Sequence, residues 1–408
     1  MTATPTTLAE YIFARLRQLG IESIHGVPGD FNLKLLDYIE PSGLRWVGNC
    51  NELNAGYAAD GYARIKGTGA VITTFGVGEL SAINAIAGAY AERAAVVHIV
   101  GTPSRASQNA RCLIHHTFND GDYGRFAQMH THITVAQANL RNLSTAPDQV
   151  DEVLRQCLMH SRPVYITIPE DMVAASVPVA RLRTAIAFPE TEPIARHEVA
   201  LTHILQKIHT AKQPMILVDG ESRALDIVDE VQRIVKATNW PTWTTIFAKG
   251  LLDETLANVH GVYRGAFDDP KVKAFVDTSD LVLCFGPHFS STNSYAYSSI
   301  PDSSVMISFT DNQVELGDQI FRDIPTKKGL SWLIEQLDLS LLETYSTPYP
   351  NLPQDYTILP ASLPRGEAIT QDRLWRVLAS FIRPGDIVLA ETGTAGYGCR
   401  EMPLPPQT

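Results

Sequence analysis

The sequence has few cysteines, and none of them stands in a spacing typical of a metal site. The five cysteines, Cys50, Cys112, Cys157, Cys284 and Cys399, are scattered, and their number is odd. Neither a disulfide framework nor a zinc site is indicated, because both need cysteines in pairs or in Cys-x-x-Cys spacing. This pattern favours a reducing compartment, and we expect a cytoplasmic protein.

Long apolar runs and clusters of basic residues are also missing. No stretch reaches the ~18 apolar residues of a membrane span, and the N-terminus lacks the basic start and apolar run of a secretory signal. The formal net charge is −11, which argues against a nucleic-acid surface. With 45% hydrophobic residues in 408, the composition is that of a globular protein of two to three domains.

Two proline-containing polar stretches divide the chain, at about residues 183–197 and 344–366. Proline excludes regular helix and favours extended linkers. We therefore predict an α/β protein with two complete parallel-sheet domains, residues 1–185 and 196–343, and an incomplete third α/β domain, residues 367–408.

The first predicted domain alternates helical segments with short apolar runs. Continuous apolar strands between helices are typical of a parallel sheet that is covered by helices on both faces. The predicted strands are residues 23–26, 45–49, 70–74, 96–100 and 164–168, and the first predicted helix is 7–20.

The middle domain repeats this pattern but lacks a phosphate-binding motif. Its first strand is followed by Asp219-Gly220-Glu221-Ser222 instead of Gly-x-Gly-x-x-Gly, and a second acidic side chain would repel a diphosphate. We interpret this domain as Rossmann-like and mainly structural. Its predicted strands are residues 214–218, 241–244, 281–285 and 305–308, and its clearest predicted helix is 222–238.

The last segment begins like another α/β unit. Thr370 can cap a predicted helix over residues 371–382, and a predicted strand over 386–390 leads to residues 391–394, ETGT. One helix and one strand cannot cover a sheet on both faces, so we expect this domain to be truncated.

Glu52 opens a segment in which small residues recur every four positions. Ala55, Ala59 and Ala63 form one flank of a helix, and such a stripe lets another backbone approach closely. A carboxyl in the first turn of a deeply packed helix is expected to be partly desolvated. Desolvation raises the pKa of a carboxyl group, and acid–base chemistry uses groups with such adjusted pKa values. The alternative is structural, because an acidic residue in the first turn stabilises a helix by ~0.3–1 kcal/mol through its dipole.

Polar residues follow each of the early predicted strands. Ligands of open parallel sheets bind beyond the carboxyl ends of the strands, so Asp30, Glu52, residues 76–78 and the pair His115–His116 are expected at one edge. Each also has a structural explanation: Asp30 could cap a helix, residues 76–78 could be a tight turn, and the histidines could lie on the surface by chance. Their joint occurrence favours a functional site.

Together these motifs resemble the thiamine-diphosphate-dependent 2-oxo acid decarboxylases, specifically the group of pyruvate and indolepyruvate decarboxylases. The paired histidines separate this group from acetolactate synthase-like relatives. The resemblance covers nearly the whole chain, and the matching segments are residues 26–33 (GVPGDFNL), 51–55 (NELNA), 58–64 (AADGYAR), 73–82 (TTFGVGELSA), 115–117 (HHT) and 391–394 (ETGT).

The resemblance implies a role for each residue at this edge. Glu52 would hydrogen-bond the aminopyrimidine of thiamine diphosphate and so activate the cofactor, whose ring accepts the electrons released as CO2 departs. Asp30, His115 and His116 would handle proton transfers and orient the substrate. Val77 would pack against the pyrimidine ring.

Three further cofactor contacts follow from the resemblance: Pro28, and Thr392 and Thr394 near the diphosphate and pyrimidine. The family binds the diphosphate through Mg²⁺ with a Gly-Asp-Gly sequence and a later Asn, since a bare diphosphate carries too much charge for a protein pocket. No such sequence follows Thr394, so the metal ligands are expected beyond Thr408.

Two hypotheses remain open. The chain is either an enzyme subunit, or a fragment of one, whose complete form is a homodimer or tetramer that decarboxylates a 2-oxo acid to an aldehyde, or a non-catalytic partner of a full-length paralogue. Pyruvate is the first choice of substrate, and indolepyruvate or phenylpyruvate is the alternative. We expect the 408 residues alone to have little or no activity.

Overall fold

The computed structural model describes residues 6–186, 197–345 and 368–408. The chain divides into two compact units, Met1–Glu190 and Thr191–Thr408. Most of both predicted linkers falls outside the described residues, and the separate third domain stays a prediction. Within the three described ranges, no helix is long and apolar enough to cross a membrane.

A six-stranded sheet forms the centre of the first unit, and all of its neighbouring strands are parallel. The five predicted strands are confirmed to within two residues at each end. A sixth, residues 137–139, escaped prediction because only its central Ala138 is buried. The strands are β1 Thr6–Thr7, β2 Ser23–Gly26, β3 Arg45–Gly48, β4 Gly69–Thr74, β5 Val96–Thr102, β6 Gln137–Asn139, β7 Val164–Pro169 and β8 Ser176–Val177, and the sheet order is β3-β2-β4-β5-β7-β6.

Helices cover both faces of this sheet, as predicted. One apolar core joins the first and last long helices to the sheet, and a second core joins the two alanine-rich helices to its other face. The first helix begins at a capping box in which Thr7 and Glu10 satisfy each other's backbone N–H groups. The helices are α1 Leu8–Gln18, α2 Leu33–Leu36, α3 Glu52–Lys66, α4 Val77–Ala91, α5 Arg105–Asn109, α6 Arg125–His130 and α7 Ala146–His160.

The alanine stripe of α3 is buried, and α3 packs closely against α4. A Cβ on Gly56 would lie 2.6 Å from the Cβ of Ala85, so the two helices approach nearly backbone to backbone. Ala55 and Ala59 are fully buried in the same contact. This packing fixes the first turns of both helices, where Glu52 and Val77 lie.

The second unit contains a seven-stranded sheet that is parallel through its first five strands. The four predicted strands are confirmed to within one residue. The two last strands are antiparallel, an edge that the sequence did not reveal because nearly all of their residues are half-exposed or exposed. The strands are β9 Pro214–Val218, β10 Thr242–Thr244, β11 Val259–Val262, β12 Leu281–Phe285, β13 Met306–Phe309, β14 Gln313–Leu316 and β15 Gln319–Arg322, in the order β11-β10-β9-β12-β13-β14-β15.

One predicted helix of this unit is wrong as a continuous element. Residues 222–238 form two helices, because Asp226 has a φ of 54° and a left-handed residue cannot continue a right-handed helix. The buried Ser222 hydroxyl donates to the carbonyl of Phe285 and holds the first piece against the sheet. The helices of the second unit are α8 Glu198–Thr210, α9 Glu221–Ala224, α10 Val228–Thr238, α11 Pro270–Asp277, α12 Thr326–Gln336, α13 Gln371–Leu378 and α14 Thr394–Cys399.

The strand predicted over residues 386–390 is also wrong. No strand forms there, and Ile387 and Leu389 are 76% and 91% exposed. A strand needs a neighbour for its backbone hydrogen bonds, and none of the described residues supplies one to this segment. The preceding helix α13 is shorter than predicted and ends in a 3-10 turn, Ala379–Phe381.

The turn after β9 is built around a buried carboxylate. Asp219 accepts hydrogen bonds from the backbone N–H of His288 at 2.6 Å and from the Asn293 amide at 2.8 Å, and it also accepts from the Thr245 hydroxyl. These donors belong to the unit itself, so Asp219 serves the fold. The arrangement agrees with the interpretation of this region as structural.

Candidate active site

The carboxyl ends of four neighbouring parallel strands bring the early motifs to one edge of the first unit. Asp30 follows β2, Glu52 follows β3, and Val77 follows β4. The chain that leaves β5 continues to His115 and His116. Neighbouring strands among these four are parallel, so the loops that follow them leave the sheet at the same edge, as predicted.

Asp30 and the two histidines form one cluster. Asp30 Oδ2 is hydrogen-bonded to Nε2 of His115, and its Oδ1 lies 3.9 Å from Nδ1 of His116. The Phe31 ring stacks on His115 with a centroid distance of 5.1 Å, and the two imidazoles meet edge to face at 4.6 Å. The cluster is solvent-accessible, since the side chain of His115 is 60% exposed.

Glu52 is half-buried in the first turn of α3, and its carboxylate lies beside the first turn of α4. A Cβ on Gly78 would stand 3.1 Å from Glu52 Oε1, so a side chain at position 78 would crowd this carboxylate. Val77, the preceding residue, is 53% exposed. The Glu52 carboxylate therefore lies beside the helical turn that also carries the exposed Val77.

Gly76, which precedes Val77, is in close backbone contact with the histidine pair. Its φ is 71°, and a Cβ at this position would lie 2.0 Å from the carbonyl oxygen of His116. His116 itself has a φ of 62°, which is uncommon for a residue with a side chain. The backbones of the two loops are therefore in direct contact, and only glycine permits it.

Glu79 is a buried carboxylate next to this edge that the sequence analysis did not single out. It is fully buried, its Oε1 accepts the N–H of Gly76 at 2.8 Å, and its Oε2 accepts the Tyr165 hydroxyl at 2.6 Å. Burial raises the pKa of Glu79 to about 7, although both hydrogen bonds act in the opposite direction. A capping-box signal was present, because Glu79 stands three residues after the glycine that begins α4.

Two buried histidines lie around the Glu79–Tyr165 pair. His130 Nδ1 lies 3.8 Å from Glu79 Oε2, and His98 Nε2 is 2.9 Å from the Thr73 hydroxyl. Burial and then the neighbouring His130 lower the pKa of His98 well below its usual value, so this ring is neutral near pH 7. Burial also lowers the pKa of His130. Because burial keeps both neighbouring histidines from gaining a charge, neither compensates a negative charge on Glu79, and the protonated form of this carboxyl is favoured.

We expect Glu79 to make the free energy of unfolding depend on pH. Its pKa is about 7 when folded and near 4.5 when exposed, so between these values the folded state holds a proton that the unfolded state has lost. Stability then falls as pH rises through this window and levels off above pH 7, by roughly 3 kcal/mol in total. Glu79→Gln removes this change, because its amide is uncharged in both states and can still accept the Gly76 N–H.

Urea unfolding at pH 5, 6, 7 and 8 checks this expectation for the wild type and Glu79→Gln. The free energy of unfolding of Glu79→Gln minus that of the wild type should increase as pH rises. Glu40→Gln, at an exposed position, makes the same chemical change and should show no such trend. A difference between wild type and Glu79→Gln that is constant over this range would contradict the assignment.

The remaining predicted cofactor contacts lie in two places. Pro28 is exposed in the loop before Asp30. Thr392 and Thr394 belong to the second unit, where both are exposed at the beginning of α14. Thr392 also lines a cavity of about 390 Å³ whose walls include Lys249.

Comparisons with known proteins show the family to which the chain belongs. Residues 6–128 match the thiamine pyrophosphate enzyme N-terminal TPP binding domain, and residues 201–337 match the thiamine pyrophosphate enzyme central domain. The chain is 54% identical over 405 residues to a pyruvate decarboxylase of Aspergillus parasiticus, covering 98% of this chain and 68% of that protein. It is 37% identical to pyruvate decarboxylase isozyme 1 of Saccharomyces cerevisiae, covering 98% of this chain and 71% of the relative.

A solved structure shares the fold. The thiamine diphosphate-dependent 4-hydroxybenzoylformate decarboxylase of Rhodococcus jostii RHA1 superposes with a TM-score of 0.75 over 98% of this chain and 74% of its own, at 18% identity. The sheet architecture is therefore that of a known decarboxylase, whereas the sequence identities carry the family assignment. The chain belongs to the thiamine-diphosphate-dependent 2-oxo acid decarboxylases, among the pyruvate decarboxylases.

Proposed function

We propose that this protein contributes the pyrimidine-binding side of an active site that converts pyruvate to acetaldehyde and CO2 with thiamine diphosphate and Mg²⁺. The observation that carries the proposal is the position of Glu52. Its half-buried carboxylate lies beside Val77 and Gly78, at the sheet edge that also holds Asp30 and the histidine pair.

The residues at this edge fit an aminopyrimidine ring. Glu52 offers a carboxylate that can hold a proton shared with a ring nitrogen, and Val77 offers an apolar contact for the ring face. When bound, the cofactor supplies the electron sink for the loss of CO2. Pro28, Thr392 and Thr394 are the further contacts that we propose for it.

Asp30, His115 and His116 are proposed to handle the proton transfers at the substrate. Their hydrogen bond and short separations let a proton pass between a carboxylate and two imidazoles. Phe31 stacks on His115 and keeps that ring in one orientation. The exposure of the cluster leaves room for a small carboxylate substrate.

Pyruvate is the proposed substrate because the relatives named above are pyruvate decarboxylases. Indolepyruvate and phenylpyruvate are the alternatives. We also propose a cytoplasmic homo-oligomer, in which a Glu52-bearing unit would face the diphosphate-binding domain of another subunit. The alternative is a non-catalytic chain that pairs with a full-length paralogue.

We predict that the 408 residues alone show little or no decarboxylation, because they contain no Gly-Asp-Gly sequence for Mg²⁺. An alcohol dehydrogenase-coupled assay with pyruvate, thiamine diphosphate and Mg²⁺ measures this. A fusion that adds the uncovered part of the Aspergillus parasiticus relative should be active. Turnover of ~1–10³ s⁻¹ by the 408 residues would refute the prediction, and an inactive but folded fusion would favour the non-catalytic alternative.

A further inference from the structure

We propose that Asp30, His115 and His116 form a binding site for a transition-metal dication, for which Zn²⁺ is the probe. The three side chains each present one ligand atom, and these atoms all lie within 4.8 Å of one another. Two imidazole nitrogens with one carboxylate oxygen form a donor set that binds Zn²⁺ and other first-row dications. Among the described residues, this is the one group of three such side chains at that separation.

Little movement is needed to enclose an ion. Ligand atoms at about 2.0–2.2 Å from a tetrahedral Zn²⁺ lie roughly 3.4 Å from each other, so the widest separation, which is within 4.8 Å, must shrink by at most about 1.4 Å. Asp30 and His115 are already in hydrogen-bond contact, and His116 Nδ1 lies 3.9 Å from Asp30 Oδ1. Rotation of the His116 and Asp30 side chains can supply the rest.

One ligand atom has nothing else to bind. His116 Nδ1 is buried and makes no hydrogen bond within the described part of the chain. A buried polar atom without a partner is unfavourable, so a metal bond at this atom replaces no existing interaction. His116 therefore gains a partner that the protein itself does not provide.

Both histidines are held in place by their surroundings. The ring of His115 lies flat against Phe31, with an angle of 17° between the planes. The backbone of His116 is fixed against the Cα of Gly76, where no Cβ could fit. Side chains that are oriented before binding lose less conformational entropy when an ion arrives. The partial exposure of all three leaves an open path and room for water as a fourth ligand.

Such an ion would occupy the groups proposed for proton transfer, and it would therefore inhibit decarboxylation. This consequence rests on the proposed function, whereas metal binding does not. Mg²⁺ should not compete, because it prefers oxygen ligands and retains its waters. The site is therefore distinct in chemistry from the Mg²⁺ site of the diphosphate.

Isothermal titration of the 408-residue chain with Zn²⁺, without cofactor or substrate, tests the site. We expect one ion per chain at this site, with binding weakened at least about tenfold in Asp30→Asn, His115→Ala and His116→Ala, since loss of even a supporting residue costs ~10–100-fold. Two matched controls should bind as the wild type does: His132→Ala, an exposed histidine outside the group, and Cys112→Ser, an exposed cysteine three residues before His115.

Absorption spectra of the Co²⁺ complex provide a second test, which uses only the wild-type protein and does not depend on the folding of any variant. Nitrogen and oxygen coordination without a thiolate charge-transfer band supports the proposal. A thiolate band, a loss of Zn²⁺ affinity in Cys112→Ser, or unchanged affinity in folded ligand variants would overturn it. These results stand apart from the decarboxylase assay, so an inactive enzyme would not count against the metal site.

Discussion

Replacing Glu52 with Gln is expected to lower turnover of the active fusion by about 10²–10⁴-fold, while the fold is retained. Gln keeps the size and the hydrogen-bonding oxygen of the side chain but cannot exchange a proton with the aminopyrimidine. Because Gln has the same size as Glu, the change should not disturb the packing of α3 on α4 near Gly78. The coupled assay measures turnover, and circular dichroism with thermal unfolding measures the fold.

Two variants make this result specific. Glu40→Gln removes an exposed carboxylate of the same unit and should leave turnover unchanged. Glu52→Asp keeps the carboxylate at a shorter reach, so its turnover should fall between those of the wild type and Glu52→Gln. If Glu52→Gln retains turnover within about twofold of the wild type, the proposed role of this carboxylate is wrong.

Gly76→Ala is expected to lower the free energy of unfolding by roughly 2–6 kcal/mol. Strain from a side chain at φ 71° contributes ~1–3 kcal/mol, and the collision of the new Cβ with the His116 carbonyl adds ~1–3 kcal/mol. The carbonyl belongs to the backbone, so it cannot move aside as the end of a flexible side chain could. Urea denaturation of the 408-residue chain gives this free energy directly.

Gly61→Ala is the matched control in the same unit. Gly61 lies inside α3, and a Cβ there would meet no atom within 4 Å. The same substitution should therefore stabilise the protein by roughly 0.5–1 kcal/mol, since alanine favours helix over glycine. Equal effects of the two substitutions, or no loss of stability in Gly76→Ala, would show that the contact between the two loops is not as tight as described.

A pattern of apolar residues was enough to locate most strands and the alanine-rich packing of α3. The run over β4 and β5 is buried throughout, and the stripe Ala55, Ala59 and Ala63 shows which flank of α3 packs against its neighbour. Such patterns are local, because each residue's environment follows from its spacing along one helix or strand. The strand prediction for residues 386–390 was wrong because a strand also needs a neighbouring strand to pair with. A local pattern of apolar residues cannot show whether such a neighbour exists.

The helix predicted over residues 222–238 failed for another local reason. Its composition suits a helix, but Asp226 takes a left-handed backbone conformation that interrupts it. The antiparallel edge of the second sheet was missed because β14 and β15 alternate only weakly between buried and exposed residues. In both cases the composition of the segment was not enough to identify its backbone conformation.

The amino-acid sequence alone established the α/β class, the sheet edge at which Asp30, Glu52 and the histidine pair meet, and the family resemblance that the relatives confirm. It could do so because the alternation of strands with helices and the spacing of motifs are local features of the chain, and the carboxyl ends of parallel strands lie at one edge of a sheet whatever their order. Tertiary structure alone decided three things: the bond between Asp30 and His115 across 85 positions, the contact of Gly76 with His116, and the burial that sets Glu79 near neutrality. These depend on distances between segments far apart in the chain, and no local spacing encodes them.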